Sequence, residues 1–223
     1  MLSTSWEFRR KIAENTGCLV RVKLMLADGT VHELDGDVVM ANSLTFSHAT
    51  SSGGSFDIGA AIIGSLGFTI NNWDRRFDEF DFTGAKVIAF VGAELPDGTT
   101  EELLKGTYWL EQPEAYSTTI GLTGLDSMCK LDEVPFSRVG TSFPATAATL
   151  VGDICQTCGL APHSLNFANS SYVFPERPTD DMSCHEAVSY IAQATGNFAR
   201  ITNENRLELA WYSLTALESE DWL

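Results

Sequence analysis

The sequence predicts an α+β protein, with a β-barrel-like domain over residues 1–130 and a smaller α/β domain over residues 131–223. Three observations predict it. Between residues 19 and 125, short runs of alternating apolar and polar residues are separated by Asp-Gly and Asn/Asp-rich turns. After residue 130 the apolar spacing changes twice to three and four, which is helical. Eighteen glycines and thirteen phenylalanines in 223 residues favour strands and turns over a helical bundle.

Taken in order, Ser3 or Ser5 is placed to cap a short helix from Trp6 to Glu14, which Gly17 would end. Leu19 to Leu26 reads as a strand with Val20, Val22, Leu24 and Leu26 on one face. Ala27-Asp28-Gly29-Thr30 is a hairpin turn leading to a return strand at Val31 to Leu34. Val38 to Met40 and Leu44 to Ser47 read as short strands, and residues 50–55 have linker composition. The stretch from Ser55 to Val87 is the densest in apolar, Gly and turn residues. In it Leu66, Phe68 and Ile70 alternate with Gly67 and Thr69 as a strand. Trp73 follows, and Phe77, Phe80 and Phe82 sit in an acidic loop where three aromatics would be costly to leave wet, so these three cap the end of a barrel or insert into a neighbouring subunit. Lys86 to Val91, Leu103 to Leu110 and Ser117 to Leu125 complete the strands, with a turn at Pro96-Asp97-Gly98-Thr99 and a bulge or bend at Gly106.

In the second domain, a brief helical or turn segment at 126–132 precedes a helix from Thr146 to Cys158. That helix carries Ala147, Leu150, Val151, Ile154 and Cys158 on one face and is stopped by Gly159. A second helix runs from Asp181 to Thr195, begun by Thr179 or Asp180 and ended by Gly196. Phe198 to Thr202 and Leu207 to Tyr212 form a terminal hairpin. The acidic tail ends on Trp222-Leu223, which suggests a chain cut from a longer one.

Composition narrows the function. An apolar fraction of 44% and a charged fraction of 20% describe a globular chain, and a net charge of −16 argues against nucleic acid as a general partner. Membrane insertion is not expected, because no apolar run approaches the length of about 18 residues that a span needs. Five unevenly spaced cysteines suit reduced, mostly buried thiols.

No residues are assigned as catalytic, cofactor-binding or metal-binding. Cys155-Gln156-Thr157-Cys158 falls at a helix C-terminus, where the dipole disfavours a thiolate. Zinc would need two more ligands; His163, Cys184 and His185 are available, but no second ligand pair has the usual spacing. Asp35-Gly36-Asp37 lacks the downstream ligands of a calcium loop, and His48 stands without ligand neighbours in sequence. Of the adjacent pairs Glu101-Glu102, Asp132-Glu133 and Asp180-Asp181, neighbours on a strand point to opposite faces and are poorly placed to share one bond, and the first-turn position of helical Asp180-Asp181 is explained by the helix dipole.

The order of the N-terminal helix, the Asp-Gly hairpin, Phe56-Asp57-Ile58-Gly59, the 71–81 loop, Thr83-Gly84-Ala85, Lys105-Gly106-Thr107-Tyr108 and Leu125-Asp126 resembles phage and prophage tail hub proteins. The helix ending at Gly159-Leu160 and the helix ending at Gly196 look like that family's α/β portion. The resemblance implies a domain similar to tail-tube barrels and a homotrimer presenting a pseudo-sixfold ring. It also implies a place in the virion tail between a tail-tube or distal tail protein and a spike or fibre, with DNA only passing through the channel. It implies no cofactor and no catalytic residue, and makes Trp73, Phe77, Phe80 and Phe82 candidate interface residues. The alternatives are a tail-associated cell-wall hydrolase and a carbohydrate-binding module with Trp73, Trp109 or Trp211 as stacking platforms.

Overall fold

The computed structural model describes residues 4–14, 18–49, 57–177 and 181–211. The chain divides into two compact units, one of Met1–His48, Ile63–Ser127 and Thr202–Asn205, the other of Ala49–Ile62, Met128–Ile201 and Arg206–Leu223.

The first unit opens with α1 (Trp6–Ala13), whose N-cap Ser5 accepts a hydrogen bond from the Phe8 N–H. Its buried residue is Phe8, while Trp6 is exposed with the Arg10 guanidinium 4.8 Å from its ring centre. Seven strands follow: β1 (Cys18–Met25), β2 (Val31–Leu34), β3 (Thr45–Ser47), β4 (Ser65–Asn71), β5 (Lys86–Glu94), β6 (Thr100–Leu110) and β7 (Thr119–Asp126). They form one antiparallel sheet in the order β2-β1-β5-β6-β7-β4-β3. Alternation sets the inner face, where Val22, Leu24, Leu66, Phe68, Ile70, Val87, Ala89, Tyr108, Leu110, Ile120 and Leu122 share one core. The register of β5 on β6 slips between Ala89 and Phe90, opposite Gly106 with its φ of 149°. This is the bend expected at that glycine.

The expected barrel is not closed. Four-residue β2 pairs only with Val22–Met25 of β1, so it does not extend along Cys18–Arg21, which pair with β5 on their other side. The chain then turns, the Asp35 carboxylate accepting the Asp37 N–H at 3.0 Å, and the expected strand at Val38 to Met40 is a single bridge from Val39 to Ile70. Asn42, at φ 60°, interrupts any continuation into β3. Both sheet edges therefore lie on consecutive stretches of chain without sharing a ladder. The gap is a groove of about 1150 Å³ lined by Leu19, Val20, Met40, Leu44, Phe46 and Val91, among others.

The second unit contains α2 (Met128–Glu133), β8 (Ala145–Thr146), α3 (Ala147–Thr157), β9 (Ala161–Pro162), β10 (Val173–Phe174), α4 (Cys184–Thr195), β11 (Phe198–Ile201) and β12 (Arg206–Ala210). The hairpin β11–β12 carries β9 parallel to β12, and β8 pairs with β10. α3 is capped by Thr146, whose hydroxyl accepts the Thr149 N–H, and buries Leu150, Val151, Ile154 and Cys155. α4 starts three residues later than Asp181, because Ser183 and Glu186 form a reciprocal capping box: the Ser183 hydroxyl takes the Glu186 N–H and the Glu186 carboxylate takes the Ser183 N–H. Gly196 ends it at φ 73°. Thr179, Asp180, Tyr212, the 50–55 linker and the C-terminal tail lie outside the described residues. Among those described, no helix is long and apolar enough to cross a membrane.

Residues 57–62 belong to this second unit. Gly59 N–H donates to Asn197 O at 2.7 Å, Ala199 N–H donates to Ala60 O at 2.7 Å, and Ala61 bridges Ala199 in parallel, so the segment runs beside β11. On α4, Ser189 Oγ donates to Gly59 O at 2.6 Å and His185 Nε2 lies 2.5 Å from Ala61 O. His185, Ser189 and Gln193 are four residues apart, so one stripe of α4 forms the track for this segment.

Candidate assembly surface

The loop between β4 and β5 is built around Asn72, which is fully buried. Its Oδ1 accepts the Phe77 N–H at 3.0 Å; its Nδ2 donates to Asp78 Oδ1 at 2.7 Å and to Ser117 O at 2.8 Å. The Asn71 side chain accepts the Trp73 N–H and Asp74 accepts the Arg76 N–H, so Asn and Asp shape the turn as their side-chain chemistry dictates. Arg75 takes φ 61° and pairs with Asp78 at 2.8 Å. Replacing Asn72 with Ala would strand the buried Phe77 N–H. We expect a loss of about 1–3 kcal/mol, read as a lower denaturant midpoint at unchanged slope.

This frame separates the four candidate interface aromatics into two kinds. Phe77 and Phe82 are 4% and 0% exposed and belong to the sheet core, with Phe80 partly buried against it. Phe77 meets Phe80 edge-on at 5.2 Å, Phe80 tilts against Phe82 at 5.9 Å, and Phe82 stacks on Tyr116 at 6.0 Å. Tyr116 locks the cluster by donating its hydroxyl to Phe80 O at 2.8 Å. Within the single chain these phenylalanines plug one end of its own sheet core. Trp73 is the exception, at 79% exposed.

Around Trp73 the surface is acidic. β1 ends where β5 begins, and β6 ends beside them, so the 26–30, 71–85 and 111–118 loops share one end of the sheet. Exposed Asp28, Asp74, Asp78, Glu79, Asp81, Glu111 and Glu114 outnumber Arg75, Arg76 and Lys86 there. The outer face of β3, β4 and β7 is different again. Thr45, Ser47, Ser65, Gly67, Thr69, Thr119, Gly121 and Thr123 make it small, hydroxylated and without charge. The negative charge thus gathers on loops rather than on this face.

The remaining sequence candidates are tied up structurally. Glu101 accepts the Ser5 N–H at 2.8 Å, whereas its neighbour Glu102 holds Arg21 through both oxygens, at 2.8 and 2.5 Å. The adjacent pair thus serves two separate contacts. The Arg21 guanidinium holds the Glu102 carboxyl below its ordinary value. His48 Nε2 lies 2.7 Å from the Tyr108 hydroxyl, and burial, with Asp126 nearby, pushes the Tyr108 phenol above its ordinary value. His185 is held by Ala61 O and lies 3.6 Å from Asp132, and His163 lies 3.7 Å from Glu208. Among the described residues no group of three or more His, Cys, Asp or Glu is placed to hold a metal. Trp109 donates its indole N–H to Ser127 Oγ at 3.0 Å. Trp211 is exposed, and Asp180 lies outside the described residues.

The sheet-rich α+β fold is shared with solved tail proteins. It is similar to the 43 kDa tail protein of prophage MuSo2 from Shewanella oneidensis, with a TM-score of 0.56 and 12% identity over 87% of this chain and 56% of that one. It is similar also to a tail protein from Neisseria meningitidis MC58, with a TM-score of 0.53 and 13% identity over 88% of this chain and 52% of that one. Prophage tail protein gp18 from Listeria monocytogenes EGD-e gives 0.57 and 9% identity over 85% and 50%. This chain spans about half the length of these relatives. No family model and no curated protein sequence matches it.

Proposed function

We propose that the chain is a structural subunit of a phage or prophage tail, forming a trimeric hub ring that joins the tail tube to a spike or fibre around the DNA channel. The observation that carries this reading is the shared fold with three tail proteins, two of them from prophages, over 85–88% of the chain. The surface agrees in kind: an exposed Trp73 within an acidic rim is an anchor for a partner face of opposite charge. The acidic loop end suits a channel mouth that repels DNA rather than binding it. The uncharged hydroxyl face of β3, β4 and β7 offers a flat surface that a neighbouring subunit can cover without desolvating charge.

Light scattering coupled to size exclusion tests the ring directly. The full chain is expected to form a trimer, or to do so on adding the tail-tube protein. Trp73→Ala is expected to shift that equilibrium towards monomer by tenfold or more, the effect of losing about 2 kcal/mol at an aromatic anchor. A wild-type monomer at every concentration, with and without tail-tube protein, overturns the ring. A trimer unaffected by Trp73→Ala retains the ring and removes Trp73 from its interface.

A further inference from the structure

Among the described residues, the two most exposed large apolar side chains are Trp73, at 79%, and Trp6, at 66%. Both belong to the first unit, and they stand among charges of opposite sign. On α1, Trp6, Arg9, Arg10 and Ala13 recur at helical spacing and are all exposed, while Phe8 is buried on the other side of the helix. The Arg10 guanidinium lies 4.8 Å from the Trp6 ring centre and Arg9 Nε donates to Thr4 Oγ1 at 3.0 Å, so both cations are held on this stripe. Lys11 makes Arg9-Arg10-Lys11 a run of cations in a chain of net charge −16. Glu14 lies 4.0 Å from Arg10, and Glu7 stands on the next flank of the helix.

The Trp73 end has the opposite balance. Its Arg75 is taken up by Asp78 at 2.8 Å, and Arg76 lies 3.8 Å from Asp74. Asp28 and Asp81 accept the N–H of Thr30 and Thr83, and Glu111 accepts the Thr123 hydroxyl, bonds to neutral groups that leave their charge unbalanced. Glu79 and Glu114 are exposed and make no bond of this kind, so their charge holds none of the loops in place. Against these acids stands Lys86 at the start of β5.

We propose that the Trp6, Arg9 and Arg10 stripe of α1 docks on the acidic Trp73 end of a second copy of this chain. The contact presupposes the ring proposed above and supplies the face of opposite charge that its Trp73 anchor needs. One chain cannot make this contact with itself. Ser5 N–H donates to Glu101 at the start of β6, whereas Glu111 and Glu114 follow the other end of that strand. From Glu101 to Leu110 the strand runs about 30 Å. Because the two faces differ, the contact is head-to-tail. Each protomer presents α1 to one neighbour and receives the other neighbour's α1 on its loop end, and such a contact closes into a ring when the rotation between protomers allows it. The tryptophans supply the desolvated centre, and the surrounding charges supply attraction and orientation.

Light scattering coupled to size exclusion tests this on the full chain, alone and with tail-tube protein, under whichever condition the wild type assembles. Arg9→Glu with Arg10→Glu is expected to raise the concentration for half-assembly by roughly tenfold or more. Glu79→Lys with Glu114→Lys should do the same, and added salt should weaken the wild-type assembly. All four changes in one chain are expected to restore assembly, because the attraction is then reversed in sign and not removed. Should the glutamates unfold α1, Arg9→Gln with Arg10→Gln keeps the helix propensity and is expected to weaken assembly in the same direction. Assembly unchanged by either pair, or no recovery in the fourfold variant, overturns the α1 contact and leaves the ring standing. A wild type that is monomeric under both conditions overturns the contact and the ring together.

Discussion

Replacing Phe82 with Ala is expected to destabilise the first unit by about 3–5 kcal/mol, the range for removing a fully buried aromatic ring. Phe82 is 0% exposed, and its ring is held between Phe80 and Tyr116, with inward-facing Val87 and Leu110 in the same core. The Tyr116 hydroxyl bond to Phe80 O fixes one wall of the site, so the loop cannot simply collapse into the space that Ala leaves. A loss of this size is a large share of the 5–15 kcal/mol that holds a typical domain together, so partial unfolding at ambient temperature is expected. Trp73→Ala, in the same loop, is expected to change folding stability by less than about 0.5 kcal/mol. Urea titration followed by circular dichroism compares the two. The double change Phe77→Ser and Phe80→Ser should likewise unfold the unit rather than spare the fold and block assembly alone. An unchanged midpoint for Phe82→Ala would return these aromatics to the surface.

That contrast marks where the sequence was legible. Strand alternation placed Leu66, Phe68 and Ile70 inward, and all three are buried, because period two leaves a half-buried sheet little freedom. The Asp-Gly and Asp-x-Thr turns were equally plain: Asp28 and Asp97 each accept an N–H two residues on, a bond that needs only local geometry. The aromatic loop was ambiguous for a physical reason. Three phenylalanines among aspartates fit a core plug or an interface equally well, and their packing within the chain depends on the long-range approach of Tyr116 and the frame set by Asn72. The open sheet edge could not be read either: β2 stands at Val31–Leu34 as the pattern places it, but the pattern does not say that Val38 to Met40 makes a single bridge to Ile70 rather than a strand.

In the second unit, the helical periods of α3 and α4 were readable, and the start of α4 was misplaced only because an acidic pair competes with Ser183-x-x-Glu186 as a capping signal. The role of residues 57–62 was hidden by their separation in sequence from α4 and β11, which local spacing rules ignore. Nothing in Asp57-Ile58-Gly59-Ala60-Ala61 specifies that it runs along β11 and under α4, and its small side chains become informative only when the helix is in place.

Gly59→Ala is expected to cost about 2–6 kcal/mol, combining about 1–3 from forcing a side chain at positive φ with about 1–3 from overpacking. The φ of Gly59 is 85°, and a Cβ there would lie 2.7 Å from Gln193 Cβ and 3.1 Å from Ser189 O. Neither contact can swing away, because both atoms belong to the fixed part of α4. Gly29 is the internal control: its φ is 87°, yet nothing lies within 4 Å of an added Cβ. Gly29→Ala should therefore show the backbone cost alone, about 1–2 kcal/mol, and the difference between the two isolates the approach of the segment to α4. Hydrogen exchange locates the damage. Protection is expected to fall at Ala199 N–H and through α4 and β11, while the amides of β4 and β7 keep theirs. Removing the opposing Cβ with Gln193→Gly costs about 1 kcal/mol by itself in a helix, but should recover part of the loss when combined with Gly59→Ala. Equal costs at Gly29 and Gly59, or no recovery in the double variant, would mean that α4 does not confine this segment.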